Sequence, residues 1–206
     1  MITLMDNSAD FLSTIEWEEA QQVRKWVKES KGEEWIKEHF LLPVAEHGFS
    51  MLVRLFCNGA SHSVLFDTGG SPEGVVANAD RMGFDLSEIE SIVLSHCHYD
   101  HFGGLLTALK VVNKRNLPII VREDMFKTRG VADVNGTIRK HPDFPTDYQV
   151  KPARYVRTKQ PYLTADRTLL VTGEIPRETD FEKGVPQDRV LANGNPILGS
   201  GMIEQL

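Results

Sequence analysis

One ten-residue stretch constrains the fold of this chain more than any other, Ser95-His96-Cys97-His98-Tyr99-Asp100-His101-Phe102-Gly103-Gly104. Three imidazoles and a carboxylate fall within six residues of it, and these groups are ligands that suit zinc, manganese and iron. His96 and His98 lie two residues apart, so in an extended segment both side chains project to one side and can hold one ion. Asp100 and His101 follow directly and would hold a second ion beside it. The stretch therefore predicts a site for two metal ions.

The flanking residues place this stretch on a turn from a strand to a helix. Ser91 to Ser95 is typical of a short buried strand, and Phe102 to Val111, which begins at paired glycines, is typical of a helix. A rigid scaffold would then present the ligands to a cleft. The alternative is that the histidines cluster on a solvated turn or satisfy a buried hydrogen-bond network. Cys97 would point away from the ligands as a packed thiol.

The pattern His-x-His-x-Asp-His after a hydrophobic strand resembles the signature of the metallo-β-lactamase superfamily. Phe66-Asp67-Thr68-Gly69-Gly70, at the end of another predicted strand, resembles that superfamily's earlier Asp-Thr-Gly element. Two further segments, Leu42 to Phe49 and Val171 to Arg177, resemble one branch, the 7,8-dihydropterin-6-methyl-4-(β-D-ribofuranosyl)-aminobenzene-5'-phosphate synthases. The resemblance runs over nearly the whole chain.

The resemblance implies an α/β fold, the αβ/βα sandwich, in which two sheets pack between helices and the metals lie at one edge of the sheet pair. Residues 1–206 would form one such domain, truncated at the C-terminus, because this branch takes further ligands from a Cys-Ser-His-like element and a later histidine. Neither is present, and His141 is the only histidine after His101. We expect the second half of the sandwich to be incomplete, which would uncover the inner face of the first sheet and favour self-association.

The resemblance also gives roles to two carboxylates. Asp67 would orient a ligand histidine or hold the backbone of the metal loop, whereas an Asx turn ahead of Gly69-Gly70 is the alternative. Two divalent ions, with zinc favoured and manganese, iron or magnesium as alternatives, would lower the pKa of a shared water. Asp100 would bind the second ion and accept a proton from that water, so it is the catalytic candidate.

A second feature is the charge of residues 122–161. The whole chain has a net charge of −6, yet Arg122 to Lys159 contains nine lysines and arginines against five acidic residues. This segment loses hydrophobic periodicity and gains proline and glycine, so we expect an irregular cover over the metal cleft, with a solvated loop as the alternative. Its cations would attract an anionic small molecule such as a phosphate ester. The substrate-binding candidates are Arg154, Arg157, Lys159 and Arg177.

The rest of the chain predicts alternating strands and helices. Asn58-Gly59 predicts a hairpin turn, and Asp6-Asn7 would line the site or form a simple turn. The predicted strands are Ile2–Met5, Met51–Phe56, Ser63–Phe66, Pro118–Val121 and Arg167–Val171, and the predicted helices lie in Ile15–Phe40, divided at Gly32, and from Ser71 to Gly83.

Three functions remain open. The first is a metal-dependent synthase like the branch, which joins a dihydropterin phosphate ester to a ribofuranosyl-aminobenzene phosphate with loss of pyrophosphate. The second is a general metallo-hydrolase for a phosphoester, lactone or thioester, and the third is a partial metal-binding module without turnover. The negative charge argues against nucleic-acid binding. Met1 to Asp6 lacks a signal-peptide pattern, long apolar runs are absent, and only Cys57 and Cys97 occur, so we expect a cytoplasmic protein without membrane contact.

Overall fold

The computed structural model of the protein describes residues 1–8, 21–176, 178–179, 188–192 and 195–196. Two predictions fall partly or wholly outside these residues, namely the beginning of the helical segment Ile15–Phe40 and the substrate-binding candidate Arg177. Within the described ranges, no helix is both long enough and apolar enough to cross a bilayer.

Short strands and helices alternate along the chain, as the sequence predicts. The strands are β1 Ile2–Met5, β2 Ser50–Cys57, β3 Ala60–Phe66, β4 Ser91–Val93, β5 Pro118–Val121, β6 Arg129–Ala132, β7 Ile138–Lys140, β8 Arg154–Arg157, β9 Tyr162–Thr164, β10 Leu169–Val171, β11 Asp188–Ala192 and β12 Asn195–Pro196. The helices are α1 Val23–Lys31, α2 Glu33–His39, α3 Gly74–Arg81, α4 Tyr99–Phe102 and α5 Leu105–Val112. Gly32 separates α1 from α2, which confirms the predicted division.

A six-stranded sheet in the order β1-β2-β3-β4-β5-β8 forms the centre of the molecule. Strands β1, β2 and β3 pair antiparallel, whereas β3, β4, β5 and β8 run parallel. The carboxyl ends of the four parallel strands therefore meet at one edge of the sheet, where binding sites of α/β proteins form. Asp67 follows β3 at this edge, and the histidine stretch follows β4.

The turn between β2 and β3 confirms the predicted hairpin. Asn58 and Gly59 both have positive φ, 51° and 78°, as a two-residue turn between twisted antiparallel strands requires. The turn sets the register in which Leu52 lies opposite Leu65. This register brings the end of β3, and with it Asp67, to the edge that carries the histidines.

The centre of the sheet is buried on both faces. Ile92 of β4 is fully buried between Leu65 and Ile119, and helices α3 and α5 contribute residues to the same core. Val93, which points to the opposite face, is also buried. There the antiparallel pair β9–β10 lies over β4, and the Thr164 hydroxyl donates to Ser91 Oγ at 2.9 Å. The expectation of an uncovered inner face is therefore wrong at the centre of the sheet.

Residues 122–161 are more regular than the sequence predicts. They contain a 3-10 turn, the strands β6 and β7, and β8, which pairs in parallel with β5 and extends the main sheet. Strands β6 and β7 join β11 and β12 in a separate four-stranded sheet. The expectation of an irregular segment is wrong because strands of three or four residues are too short to produce a visible alternation.

The predicted helix after the histidines is interrupted. Gly103 and Gly104 lie between α4 and α5, and a Cβ on either glycine would collide with the carbonyl oxygen of Gly70 or Thr68 respectively. Paired glycines are thus required because the loop after β4 packs directly on the loop after β3. This close contact positions the candidate ligands against Asp67.

Candidate metal centre

The three histidines of the motif meet in one cluster. The ring centroids of His96 and His101 are 4.1 Å apart, and those of His96 and His98 are 4.8 Å apart. All three side chains are partly buried. The extended conformation of His98 before α4 (φ −76°, ψ 143°) turns this ring back toward His96, as the alternation of side chains in an extended segment predicts.

Two pairs of donor atoms have separations suited to a metal ion. His96 Nε2 and His98 Nδ1 are 3.1 Å apart, and His101 Nε2 and Asp100 Oδ2 are 3.6 Å apart. Two ligand atoms bound to a tetrahedral ion at about 2.0–2.1 Å lie about 3.3–3.4 Å from each other. Both separations are close to that value, although 3.1 Å also suits a hydrogen bond between imidazoles. The pairs are those that the sequence predicts.

The described residues provide pairs and not complete ligand sets. Among them, no group of three or more His, Cys, Asp or Glu side chains is arranged to hold an ion. Catalytic zinc takes three protein ligands as a rule. The donors fit a divalent metal in type and spacing, and each ion would take further ligands from elsewhere.

Asp67 supports both the loop and one candidate ligand. Its carboxylate is fully buried and lies 2.7 Å from His101 Nδ1 through Oδ2. The backbone N–H and the hydroxyl of Ser95 donate to the two carboxylate oxygens, each at 2.7 Å. An imidazole that donates its Nδ1 proton to a carboxylate presents the lone pair of Nε2 outward. Asp67 thereby orients His101 Nε2 toward Asp100.

The surroundings of His96 and His101 shift the pKa values of these two histidines in opposite directions. Burial, together with the neighbouring His101 and His98, lowers the pKa of His96 from 6.5 to about 3, so its ring is neutral near pH 7 and able to bind a metal. Burial also acts to lower the pKa of His101, but the hydrogen bond to Asp67 and the charges of Asp67 and Asp100 outweigh it and raise that pKa. Those two carboxylates would offset the charge of a divalent ion at His101.

His47 also reaches the site, although the sequence reasoning gave it no role. Its Nε2 is 3.3 Å from Asp100 Oδ2, and its Nδ1 is 2.8 Å from Asn7 Oδ1. The backbone N–H of Phe49 donates to the carbonyl of Asp100 at 3.2 Å, which brings this segment against the motif. The segment around His47 entered the sequence reasoning only as part of a family resemblance. Asn7 confirms that a polar residue at the end of β1 lines the site.

A small cavity lies beside His98. Its volume is about 250 Å³, and its walls include Cys97, Lys127, Arg129 and His141. The His141 ring lies 5.7 Å from that of His98 between centroids. Cys97 is buried in the wall of this cavity. A larger open groove, of about 910 Å³, lies between helices on the far side of the sheet and contains none of the motif residues.

Two of the substrate-binding candidates, Arg157 and Lys159, lie near acidic side chains. Arg157 pairs with Asp147 at 2.6 Å and with Glu123 at 3.1 Å. Lys159 lies 3.9 Å from carboxylate oxygens of both Asp124 and Glu174. These two charges are therefore balanced within the protein.

Arg154 lies at the wrong edge of the sheet for a substrate contact. It is exposed and begins β8, opposite Pro118 at the beginning of β5. The motif follows the carboxyl end of β4, so three residues of strand, about 10 Å, separate the two edges. The role of Arg154 in substrate binding stays a prediction, and its position at the beginning of β8 does not favour it.

A mixed sheet with His-x-His-x-Asp-His in the loop after one of its parallel strands is typical of a metallo-β-lactamase-like α/β fold, of which the described residues form a part. The chain belongs to the metallo-β-lactamase superfamily, whose family model matches residues 44–191. It is 30% identical over 145 residues to the 7,8-dihydropterin-6-methyl-4-(β-D-ribofuranosyl)-aminobenzene-5'-phosphate synthase of Methanocaldococcus jannaschii, covering 68% of this chain and 48% of that protein. It is also 30% identical to an uncharacterized protein of the same archaeon, covering 67% of this chain and 50% of that protein.

A solved structure supports the same fold. A metal-dependent hydrolase of the β-lactamase superfamily aligns with a TM-score of 0.59 at 18% identity, covering 99% of this chain and 58% of that one. The chain thus spans about half the length of the curated relatives it matches.

Proposed function

We propose that this protein is a metal-dependent enzyme that acts on an anionic, phosphorylated small molecule. Two divalent ions, with zinc favoured, would be held by His96 with His98 and by Asp100 with His101. The observation that carries this proposal is the pair of donor separations, 3.1 Å and 3.6 Å, beside the buried Asp67. Superfamily members typically bind divalent metals, usually zinc.

Each residue of the site has a distinct task in this proposal. The divalent ions would lower the pKa of a shared water and stabilise negative charge on a phosphoryl oxygen. His96 presents a neutral ring, because its pKa lies far below 7. Asp67 fixes the orientation of His101, and Asp100 Oδ2, which lies 3.6 Å from His101 Nε2 and 3.3 Å from His47 Nε2, accepts a proton at the centre of the site.

The similarity to a named synthase favours a dihydropterin phosphate ester as one substrate. That relative is 30% identical over 68% of this chain, and its name gives a product that carries a dihydropterin and a 5'-phosphate. A general hydrolysis of phosphoesters, lactones or thioesters is the second candidate, since the structural neighbour at TM-score 0.59 is named a metal-dependent hydrolase. A binding module without turnover is the third, because each ion has two candidate ligands in the described residues.

Metal content tests the proposal directly. The protein and its His96→Ala and His101→Ala variants are titrated with Co²⁺ while the visible absorption is followed, and the zinc content of each is measured by mass spectrometry. We expect two ions per chain, with each variant losing about one. His39→Ala is the matched control, because its ring stacks on Trp35 in α2, away from the motif. Equal Co²⁺ spectra for all four proteins would contradict the ligand assignment.

Turnover separates the three candidates. The metal-loaded protein is incubated with a dihydropterin diphosphate ester and an aminobenzene riboside phosphate, and separately with a phosphodiester, a lactone and a thioester. Pyrophosphate release favours the synthase, hydrolysis alone favours the general hydrolase, and bound metal without turnover leaves the binding module. A cytoplasmic location, self-association, and the lack of nucleic-acid and membrane partners stay predictions from the sequence.

A further inference from the structure

We propose that the cavity of about 250 Å³ beside His98 is an anion subsite in which Arg129 binds a phosphoryl group of the substrate. This inference rests on the proposed function and names the substrate group that the site recognises. The cavity is too small for a whole ligand, since pockets for drug-sized molecules are about 300–1,000 Å³. It therefore suits one group of a substrate whose remainder lies at the histidines.

Arg129 is the residue that carries this inference. It begins β6 and lines the cavity, and only 7% of the residue is exposed. One terminal nitrogen donates to the carbonyl oxygen of Asp124 at 3.0 Å. Its Nε is buried and has no hydrogen-bond partner in the described part of the chain. A buried donor left without a partner costs about 1–3 kcal/mol, so an anion that accepts from it would remove this cost.

No carboxylate of the described residues forms an ion pair with Arg129, which distinguishes it from the neighbouring cations Arg122 and Lys127. Within the described ranges, its hydrogen bond goes to a backbone carbonyl, whereas Lys127 and the buried Arg122 both pair with the Asp124 side chain. Asp143, the acidic residue in the cavity wall, pairs with Lys140 at 2.7 Å. The cavity therefore keeps the positive charge of Arg129. A guanidinium group suits phosphate because it donates parallel hydrogen bonds to two oxygens.

His141 connects the cavity to the candidate metal centre. Its backbone N–H donates to the carbonyl of Arg129 at 2.9 Å, and its ring lies 5.7 Å from the His98 ring. A phosphoryl group in the cavity would thus lie beside the donor pair of His96 and His98. Arg129, Lys127 and His141 all line the cavity, and a phosphoryl group offers three acceptor oxygens to such donors whereas a carboxylate offers two.

Calorimetric titration with inorganic phosphate, ribose 5-phosphate and acetate tests this subsite. Each is added to the zinc-loaded and to the chelator-treated protein, so that binding to metal is separated from binding to the cavity. We expect phosphate and ribose 5-phosphate to bind chelator-treated protein, and Arg129→Gln to weaken both by about 10-fold or more. Arg115→Gln is the matched control, because Arg115 is an exposed arginine before β5 at the opposite edge of the sheet. If ribose 5-phosphate binds and inorganic phosphate does not, the subsite recognises a phosphate ester. If inorganic phosphate binds and ribose 5-phosphate does not, the subsite recognises the free ion.

Two outcomes would overturn the inference. One is phosphate binding by Arg129→Gln with the affinity of the original protein, and the other is acetate binding as tight as phosphate. Circular dichroism checks that the variant is folded. If it is not, the double variant Lys127→Ala and His141→Gln decides in its place, with a loss of about 3-fold or more expected and an unchanged affinity contradicting the subsite.

The Co²⁺ titration keeps this test separate from the proposed function. Phosphate binding that depends on Arg129 in a protein that holds no metal would support the subsite and contradict the enzyme. Normal Co²⁺ binding, together with a phosphate affinity that is unchanged in Arg129→Gln, would support the enzyme and contradict the subsite.

Discussion

Two regions of the molecule differ in how their polar side chains are arranged. One is the histidine loop, residues 95–104, and the other is the cationic segment, residues 122–161. In the loop, the candidate ligands are sequence neighbours, and the buried Asp67 holds them from one side. In the segment, five of the nine cations have an acidic partner among the described residues, such as Glu174 for Arg122 and Asp147 for Arg157, and most of these partners belong to the segment itself. A dense ligand motif therefore predicts which donor atoms lie together, whereas a count of charges does not predict an anion-binding surface, because ion pairs within the protein neutralise many of the charges.

The largest loss of stability is expected from a substitution of Asp67, which tests whether this residue supports the histidine loop. Asp67→Ala removes the acceptor of two Ser95 hydrogen bonds and the partner of His101, all inside the protein. We expect the free energy of unfolding to fall by about 3–5 kcal/mol, as for the removal of one partner from a buried charged pair, with loss of the ion at His101. Urea unfolding measures the first and Co²⁺ absorption the second. Asp133→Ala, in the exposed turn after β6, is the control, and equal stability of the two variants would contradict the support role.

The next effect concerns the contact between the two loops. Gly103→Ala places a Cβ against the carbonyl oxygen of Gly70, where backbone would have to move. We expect it to destabilise the protein by about 2–3 kcal/mol, as overpacking does. Gly59→Ala is the comparison, since its Cβ would meet open space and only the left-handed φ of 78° costs energy, about 1 kcal/mol. Urea midpoints that rank Gly59→Ala as the worse variant would show that the loops do not pack so closely.

A smaller effect sharpens the contrast inside the cationic segment. We expect the triple variant Arg154→Gln, Arg157→Gln and Lys159→Gln to change phosphate affinity by less than about 3-fold, because the first residue lies at the far edge and the others are paired with acids. Calorimetry under the conditions used for Arg129→Gln gives the comparison. A loss as large as that of Arg129→Gln would restore these residues as the anion-binding group.

The smallest effect is expected from the ion pair of Arg157 and Asp147. The hydrogen bond from Arg157 lowers the pKa of Asp147 below 3.8, so the pair stabilises the folded state above pH 3.8 and loses this contribution as the pH falls through the lowered pKa. Because both groups are largely exposed, we expect Arg157→Gln to lower Tm at pH 7 by about 1–3 °C. The difference from the original protein should shrink near pH 2 to the part that comes from the stacking of Arg157 on the Phe126 ring, 4.1 Å away. Thermal scans at both pH values check this, and a difference that grew in acid would contradict it.

Local features were predictable from the sequence because neighbouring residues determine them. The Asn58-Gly59 hairpin follows from the φ values that these residues tolerate, and the strands Ile2–Met5 and Pro118–Val121 have their predicted bounds. The His96–His98 pair follows from spacing alone, since side chains two apart in an extended segment share a side. The family resemblance added Asp67, which the structure places against His101.

Only the tertiary structure decided which distant residues join this site and which cations stay away from it. The sequence makes Arg154 a substrate-binding candidate, but the pairing of β8 with β5 places it at the edge of the sheet opposite the motif. His47 comes from a segment far from the motif in sequence and reaches it through the Phe49–Asp100 contact, and Arg129 of β6 lines the cavity that also contains Cys97 and His141. Strands of three or four residues carry too little pattern to reveal their partners, and a buried arginine looks in the sequence like any exposed one, because burial depends on the elements that pack around it.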